Sequence, residues 1–354
     1  MFKFMLGFLL SAIFLLSACA PPRQAFDTSP ITNLDLSAPV RVSHSADDDE
    51  DPTLIVGRDR QFYVVWSAKQ GNQANLTMRS SRDGRLWTNE RRIPDGPGEN
   101  FYPSLTQSRD GTFHLGWFRL QRAGGRRDIF YTNSSDGHTW ARPTTITKEG
   151  KDWAPTVYED AKGVLWIVWS SGRTGNRELF AVQSHDNGKN WFAPQQITRS
   201  PEEDDFPHVL ANANGDRVMV WTRYRPGSPL LDYVKDGSAE IVMANSRDGV
   251  TWSKPVVVSP TDPNSQYLDL VPHVFSDREQ RRFYLSWTSG RSSPDGAILV
   301  RDLSNNSAPV LQLTNENRPS YSGKIIATDQ PGEYLMVWTA REGKLKIFAR
   351  RFRL

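Results

Sequence analysis

Arginine recurs on a cue in this chain of 354 residues. Arg119, Arg173, Arg223, Arg225, Arg291 and Arg341 each stand two to four residues after a tryptophan that closes a short apolar run. The loops leading into the preceding runs carry acids and rings: Glu50 and Asp51, Glu99 and Tyr102, Asp152 and Trp153, Asp205 and His208, Asp269 and His273, Arg318 and Tyr321. Guanidiniums and carboxylates with aromatic side chains among them can hold a polar ligand. Repeated acid–arginine neighbours can equally form ion pairs that stitch structural units together. Positions that interrupt the repeat are therefore the better ligand contacts: Tyr102, Trp153, His208, His273 and Tyr321. Arg173, Arg223, Arg291 and Arg341 complete the candidate binding set. If the protein is an enzyme, Tyr321, Asp152 and Asp205 are the candidate catalytic groups.

The tryptophan cue is itself a repeat. Trp66, Trp117, Trp169, Trp221, Trp287 and Trp338 follow one another at intervals of 51, 52, 52, 66 and 51 residues. Within residues 151–203, four strand-type runs are separated by three turn signals, which predicts an antiparallel meander of about fifty residues. Such a sheet cannot bury both faces alone, and copies at a fixed period signal a propeller or solenoid. The expected fold is all-β: a six-bladed β-propeller of four-stranded antiparallel blades. First strands recur as DPTLIV, YPSLTQ, APTVYE, FPHVLA and VPHVFS, and less clearly as YSGKIIA. The last blade lacks a fourth strand, and residues 38–44 (APVRVSH) match the outer strands of other blades. An N-terminal strand is therefore expected to close the ring and remove its open sheet edges.

Four turns between third and fourth strands share a motif: Ser184 to Trp191 fits S-x-D-x-G-x-x-W, and Ser81 to Trp87, Ser134 to Trp140 and Ser246 to Trp252 are one residue shorter. These resemble Asp-boxes, the hairpin repeats of sialidases and related propellers. The resemblance implies a six-bladed propeller whose site lies on the face opposite the boxes, with three arginines on a substrate carboxylate, an Asp acid/base and a Tyr nucleophile assisted by Glu. Tyr321-Ser322 resembles the family's Tyr-Ser motif. The first arginine belongs to an Arg-Ile-Pro motif, and Glu50-Asp51-Pro52 stands there instead. Arg91-Arg92-Ile93-Pro94 has the letters but follows a box, in an outer strand. Losing that bidentate clamp argues against hydrolysis of sialic acid.

Residues 1–18 combine Lys3, a short apolar run and Leu16-Ser17-Ala18-Cys19, the layout of an export signal. Leu-Ser-Ala-Cys resembles the lipobox of bacterial lipoproteins, implying cleavage before Cys19 and lipidation of its thiol. Cys19 is the only cysteine, so no internal disulfide forms. By resemblance to enterobacterial lipoprotein sorting, Ala20, which is not aspartate, implies an anchor in the outer membrane. Residues 19–37 read as a tether, and 38–354 as the propeller. Lys and Arg total 43 against 40 Asp and Glu, which gives no reason to expect nucleic acid. The acidic run 47–51 lacks the ligand spacing of a calcium loop, the six histidines lack zinc spacing, and no Gly-rich phosphate loop is present, so no cofactor or metal is expected. The leading expectation is an envelope-anchored lipoprotein whose channel face binds a glycan, another polar ligand or an envelope protein partner. The alternative is an exo-glycosidase of the sialidase-like superfamily with a non-standard active site.

Overall fold

A computed structural model describes residues 32–34, 36–94, 96–121, 125–224, 239–259, 269–290, 296–305, 307–314 and 318–354. Residues 1–18, read from sequence as an export signal, Cys19, most of the expected tether, Arg225 and Arg291 lie outside them. Every regular element among the described residues is a strand, and no described helix is long and apolar enough to cross a membrane.

The strands run as successive antiparallel meanders. Their first strands are Asp49–Val56, Glu99–Gln107, Asp152–Glu159, Glu203–Ala211, Asp269–Ser276 and Ser320–Ala327. The second strands are Phe62–Gln70, Phe113–Gln121, Leu165–Ser171, Arg217–Tyr224, Phe283–Ser289 and Glu333–Glu342, and each carries one repeated tryptophan. Third strands pair with the second, and two-residue outer strands complete each sheet. The last outer strand is Val40–Arg41, which comes from the front of the chain and pairs Val40 with Ala349 and Arg41 with Phe348. Each first strand lies against the next, and Ser320–Ala327 lies against Asp49–Val56.

The tryptophans are the core. All six are no more than 1% exposed. They pack with strand-type neighbours into apolar clusters, for example Trp169 with Ile167, Phe180 and Val157. Opposite every tryptophan the first strand makes the same irregularity. Glu50 pairs with Ser67 and Thr53 with Val65, so Asp51 and Pro52 together oppose Trp66. The shift recurs at Tyr102-Pro103, Ala154-Pro155, Phe206-Pro207, Val271-Pro272 and Ser322-Gly323. These are β-bulges, two residues against one. Proline suits the second position because it has no N–H to leave unpaired. The first position is left-handed in all six, with φ between 50° and 55°. The X-Pro signal and the tryptophan signal are two sides of one structural device.

At the third-to-fourth turns, Ser81 Oγ accepts the Gly84 amide at 2.8 Å, while Asp83 Oδ1 accepts the amides of Arg85 and Leu86 at 2.8 Å each. The same bonds recur around Asp136 and Asp248. In the longer copy Asn187 takes φ 62° and Asp186 accepts the Asn190 amide at 2.8 Å.

Candidate functional site

The first strands enclose a cavity of about 480 Å³. The bulge sets what lines the end at which they enter. Its left-handed residue turns into the cavity, so the mouth is ringed by Asp51, Tyr102, Ala154, Phe206, Val271 and Ser322. One wall is apolar, with the Tyr102 and Phe206 rings 5.4 Å apart. Next to the Tyr102 amide lies the Asp51 carboxyl, partly exposed though deep in the protein. Two residues further along each strand lies a second ring: Thr53, Ser104, Thr156, His208, His273 and Lys324.

Burial pushes the Asp51 carboxyl well above the ordinary carboxylate range, and the neighbouring charge of Glu50 adds to this. Lys324, Lys69 and the Tyr102 amide oppose the rise. Glu50 is itself held by Lys69, with Nζ and Oε1 2.7 Å apart. Burial pushes the Tyr102 phenol well above its usual value, helped by the charges of Asp51, Glu50 and Asp205. Burial lowers the Lys324 amine to about 8, despite the attraction of Asp51.

Beside the mouth, Asp205 accepts hydrogen bonds from Trp153 Nε1 at 2.7 Å and from the Phe206 amide at 2.8 Å. Arg177 lies 3.3 Å from its other oxygen and also pairs with Glu203. The Arg177 guanidinium sits 4.7 Å from the Tyr224 ring centre, and that of Arg127 sits 4.5 Å from Trp153. Burial raises the Asp205 carboxyl; Arg177, Ser170, Trp153 and the Phe206 amide pull it back.

Of the candidates named from sequence, the cavity brings together Tyr102, His208 and His273. Asp205 and Trp153 meet one another just outside its lining. Asp152 is fully buried, accepts Trp169 Nε1 at 3.1 Å, and holds Arg173 on both oxygens at 2.9 and 3.0 Å. Arg223 holds Asp204 with two nitrogens, Nε donating to one oxygen at 2.8 Å and Nη2 to the other at 3.1 Å. Both pairs close within one meander. Tyr321 is half-buried and packs against Gly296. Arg341 is exposed, and its amide donates to the Pro319 carbonyl at 3.0 Å.

Sequence reasoning passed over Lys324, Arg177 and Arg127. Lys324 was findable: Ser322-Gly323-Lys324 aligns with Phe206-Pro207-His208 and Val271-Pro272-His273 once the bulge is recognised. Arg177 and Arg127 open third strands, where no repeated pattern marks them. Among the described residues no group of three or more His, Cys, Asp or Glu side chains could hold a metal ion.

No protein-family model and no curated protein matches this sequence. Solved structures do resemble it. A protein of unknown function from Dyadobacter fermentans superposes with a TM-score of 0.72 at 15% identity, over 90% of this chain and 98% of that one. The GH93 α-L-arabinofuranosidase of Fusarium graminearum, in complex with arabinobiose, gives 0.69 at 14% identity over the same shares. The NanB sialidase of Streptococcus pneumoniae gives 0.64 at 11% identity, over 90% of this chain and 71% of that one. At these identities the likeness is one of fold: the chain shares its all-β architecture of four-stranded sheets with β-propeller glycoside hydrolases.

Proposed function

We propose that this protein is a glycoside hydrolase working at the cavity mouth. The environment of Asp51 carries the reading. A carboxyl raised by burial, open to a cavity and beside an aromatic wall, is what a general acid for glycosidic oxygen requires. Tyr102 and Phe206 offer a surface for the apolar face of a sugar ring, while Asp51 delivers the proton to the leaving oxygen. Asp205 serves as the second carboxylate, positioned by Trp153 and the Phe206 amide, with Arg177 opposing the rise that burial imposes on it. Neighbours described as arabinofuranosidase, arabinanase and sialidase support turnover over binding alone. Glu50-Asp51-Pro52, standing where a sialidase arginine is expected, favours a neutral glycan such as an arabino-oligosaccharide.

The scaffold in this reading is a six-bladed propeller, with the strand from residues 38–44 closing the ring and Asp-boxes at four hairpins. Cys19 carries a lipid anchor that holds the domain at the outer membrane. Supporting the first part are the successive contacts of the first strands and the pairing of Val40–Arg41 with the last meander.

The test is hydrolysis of a panel of arabino-oligosaccharides, chromogenic glycosides and sialosides by the purified protein. Asp51→Asn and Asp205→Asn are expected to lower kcat by about 10²–10⁴-fold. Because Asp51 is raised, its acid form persists to higher pH; activity falls as pH rises through that pKa, placing the basic limb above the ordinary carboxylate range. A panel with no turnover, or full activity in Asp51→Asn, overturns the assignment.

A further inference from the structure

The second ring, two residues deeper than the mouth and so about 7 Å along the strand, has a property of its own. Four of its members use an acceptor atom to tie neighbouring first strands together, while Thr156 does so by donating its hydroxyl to the Pro207 carbonyl at 2.6 Å. Thr53 Oγ1 accepts the Leu105 amide at 3.3 Å, and Ser104 Oγ accepts the Val157 amide at 2.9 Å. His208 Nδ1 accepts the Val274 amide and His273 Nδ1 accepts the Ile325 amide, each at 3.3 Å. An imidazole that accepts at Nδ1 carries its hydrogen on Nε2. Burial keeps both rings neutral, pulling each well below its usual pKa. The rings lie 4.2 Å apart between centres, and His273 is only 5% exposed. Among the described residues, neither Nε2–H has a protein acceptor. Lys324, which has donors and no acceptor, completes the set without a carboxylate within ion-pair distance among those residues.

At the other five positions, therefore, a hydroxyl hydrogen, an imidazole Nε2–H or the ammonium is left for the cavity. We propose that the girdle is an anion-binding site: Lys324, His208 and His273 hold a single small oxyanion, a carboxylate or an inorganic oxyanion, with the Thr53 and Ser104 hydroxyls completing its shell. A metal ion does not fit here, because both Nε2 atoms carry hydrogen and the ammonium repels a cation. A neutral sugar at the mouth does not compete, since the girdle lies a layer beneath it.

The site is tested on the full domain without any glycan, so its outcome is separate from that of the hydrolase proposal. Crystals soaked in sodium bromide are expected to show an anomalous peak within hydrogen-bonding distance of Lys324 Nζ and His273 Nε2. Displacement of that peak by sodium acetate identifies a carboxylate as the preferred anion; displacement by sulfate alone identifies an inorganic oxyanion. Calorimetric titration of the preferred anion should show affinity falling more than about tenfold in Lys324→Met, the scale of one charge-assisted hydrogen bond, and largely retained in Lys324→Arg. Both variants are checked for wild-type circular dichroism and unfolding. An empty cavity in the bromide crystals, unchanged affinity in Lys324→Met, or zinc binding at the histidines overturns the proposal.

Discussion

Asp152 illustrates how one side chain can be both conspicuous in sequence and fully engaged in structure. Its two oxygens satisfy the Trp169 indole and the Arg173 guanidinium, all in the interior. Removing it leaves a charge and a donor stranded. Asp152→Ala is expected to cost about 3–5 kcal/mol in chemical denaturation. Asp152→Asn should cost less, because Asn100 already accepts the Trp117 indole at 2.8 Å and the Arg119 Nε at 3.0 Å at the equivalent place. Equal losses in the two variants would show that the carboxylate's charge, not its acceptor position, is what Trp169 and Arg173 need. The sequence displayed Asp152 and Arg173 as neighbours of the repeat, and their rank as ligand contacts followed from residue type alone. Whether an acid meets an arginine, a cavity or an indole depends on strand phase, which a bulge shifts invisibly.

Hairpins with the repeated Ser-Asp-Gly turn respond to acid as a set. Backbone amides, led by that of Asn190, hold the Asp186 carboxyl down to about 2. Asp248 is likewise held at about 2: its slight burial works the other way, but the Thr251 and Val250 amides outweigh it. Asp83 and Asp136 are also lowered. An unfolded aspartate titrates near pH 3.9, so these turns give their full stabilisation above that value and lose it as pH falls towards 2. Thermal unfolding followed from pH 6 to pH 2 should show a steep loss in that lower window. Replacing all four aspartates by asparagine should flatten it, and an unchanged slope would count against the turns as its source. These elements were fully legible beforehand, because Asp and Gly act within a few residues of themselves. The bulge was half legible: X-Pro and Trp were both read as repeats, but their register across the sheet is a long-range fact.

Across the whole molecule, the front of the chain is tied to its end. Val40–Arg41 pairs with the last third strand, Arg79 donates to the Val42 carbonyl, and Lys346 reaches Asp49 at 3.2 Å. Deleting residues 38–44 removes that outer strand and uncovers Phe348 and Ala349. The expected result is a clear drop in Tm together with a broader transition, measured by calorimetry against the intact domain. An identical melting curve would mean that the ring, if closed, is closed by something else. This strand was readable from sequence because the outer-strand pattern is portable; the mouth was not, since six unlike residues share one place there.

That sharing has a further consequence. Asp51, Tyr102, Ala154, Phe206, Val271 and Ser322 range from an acid to aromatic and aliphatic side chains, yet they adopt one backbone conformation, including a β-branched valine for which it is unfavourable. The conformation must be imposed by the frame behind it, not chosen by the side chain. Six seats with a fixed outlook and interchangeable occupants amount to a plugboard: exchanging what sits in two or three of them would change the chemistry of the opening while every tryptophan beneath stays where it is.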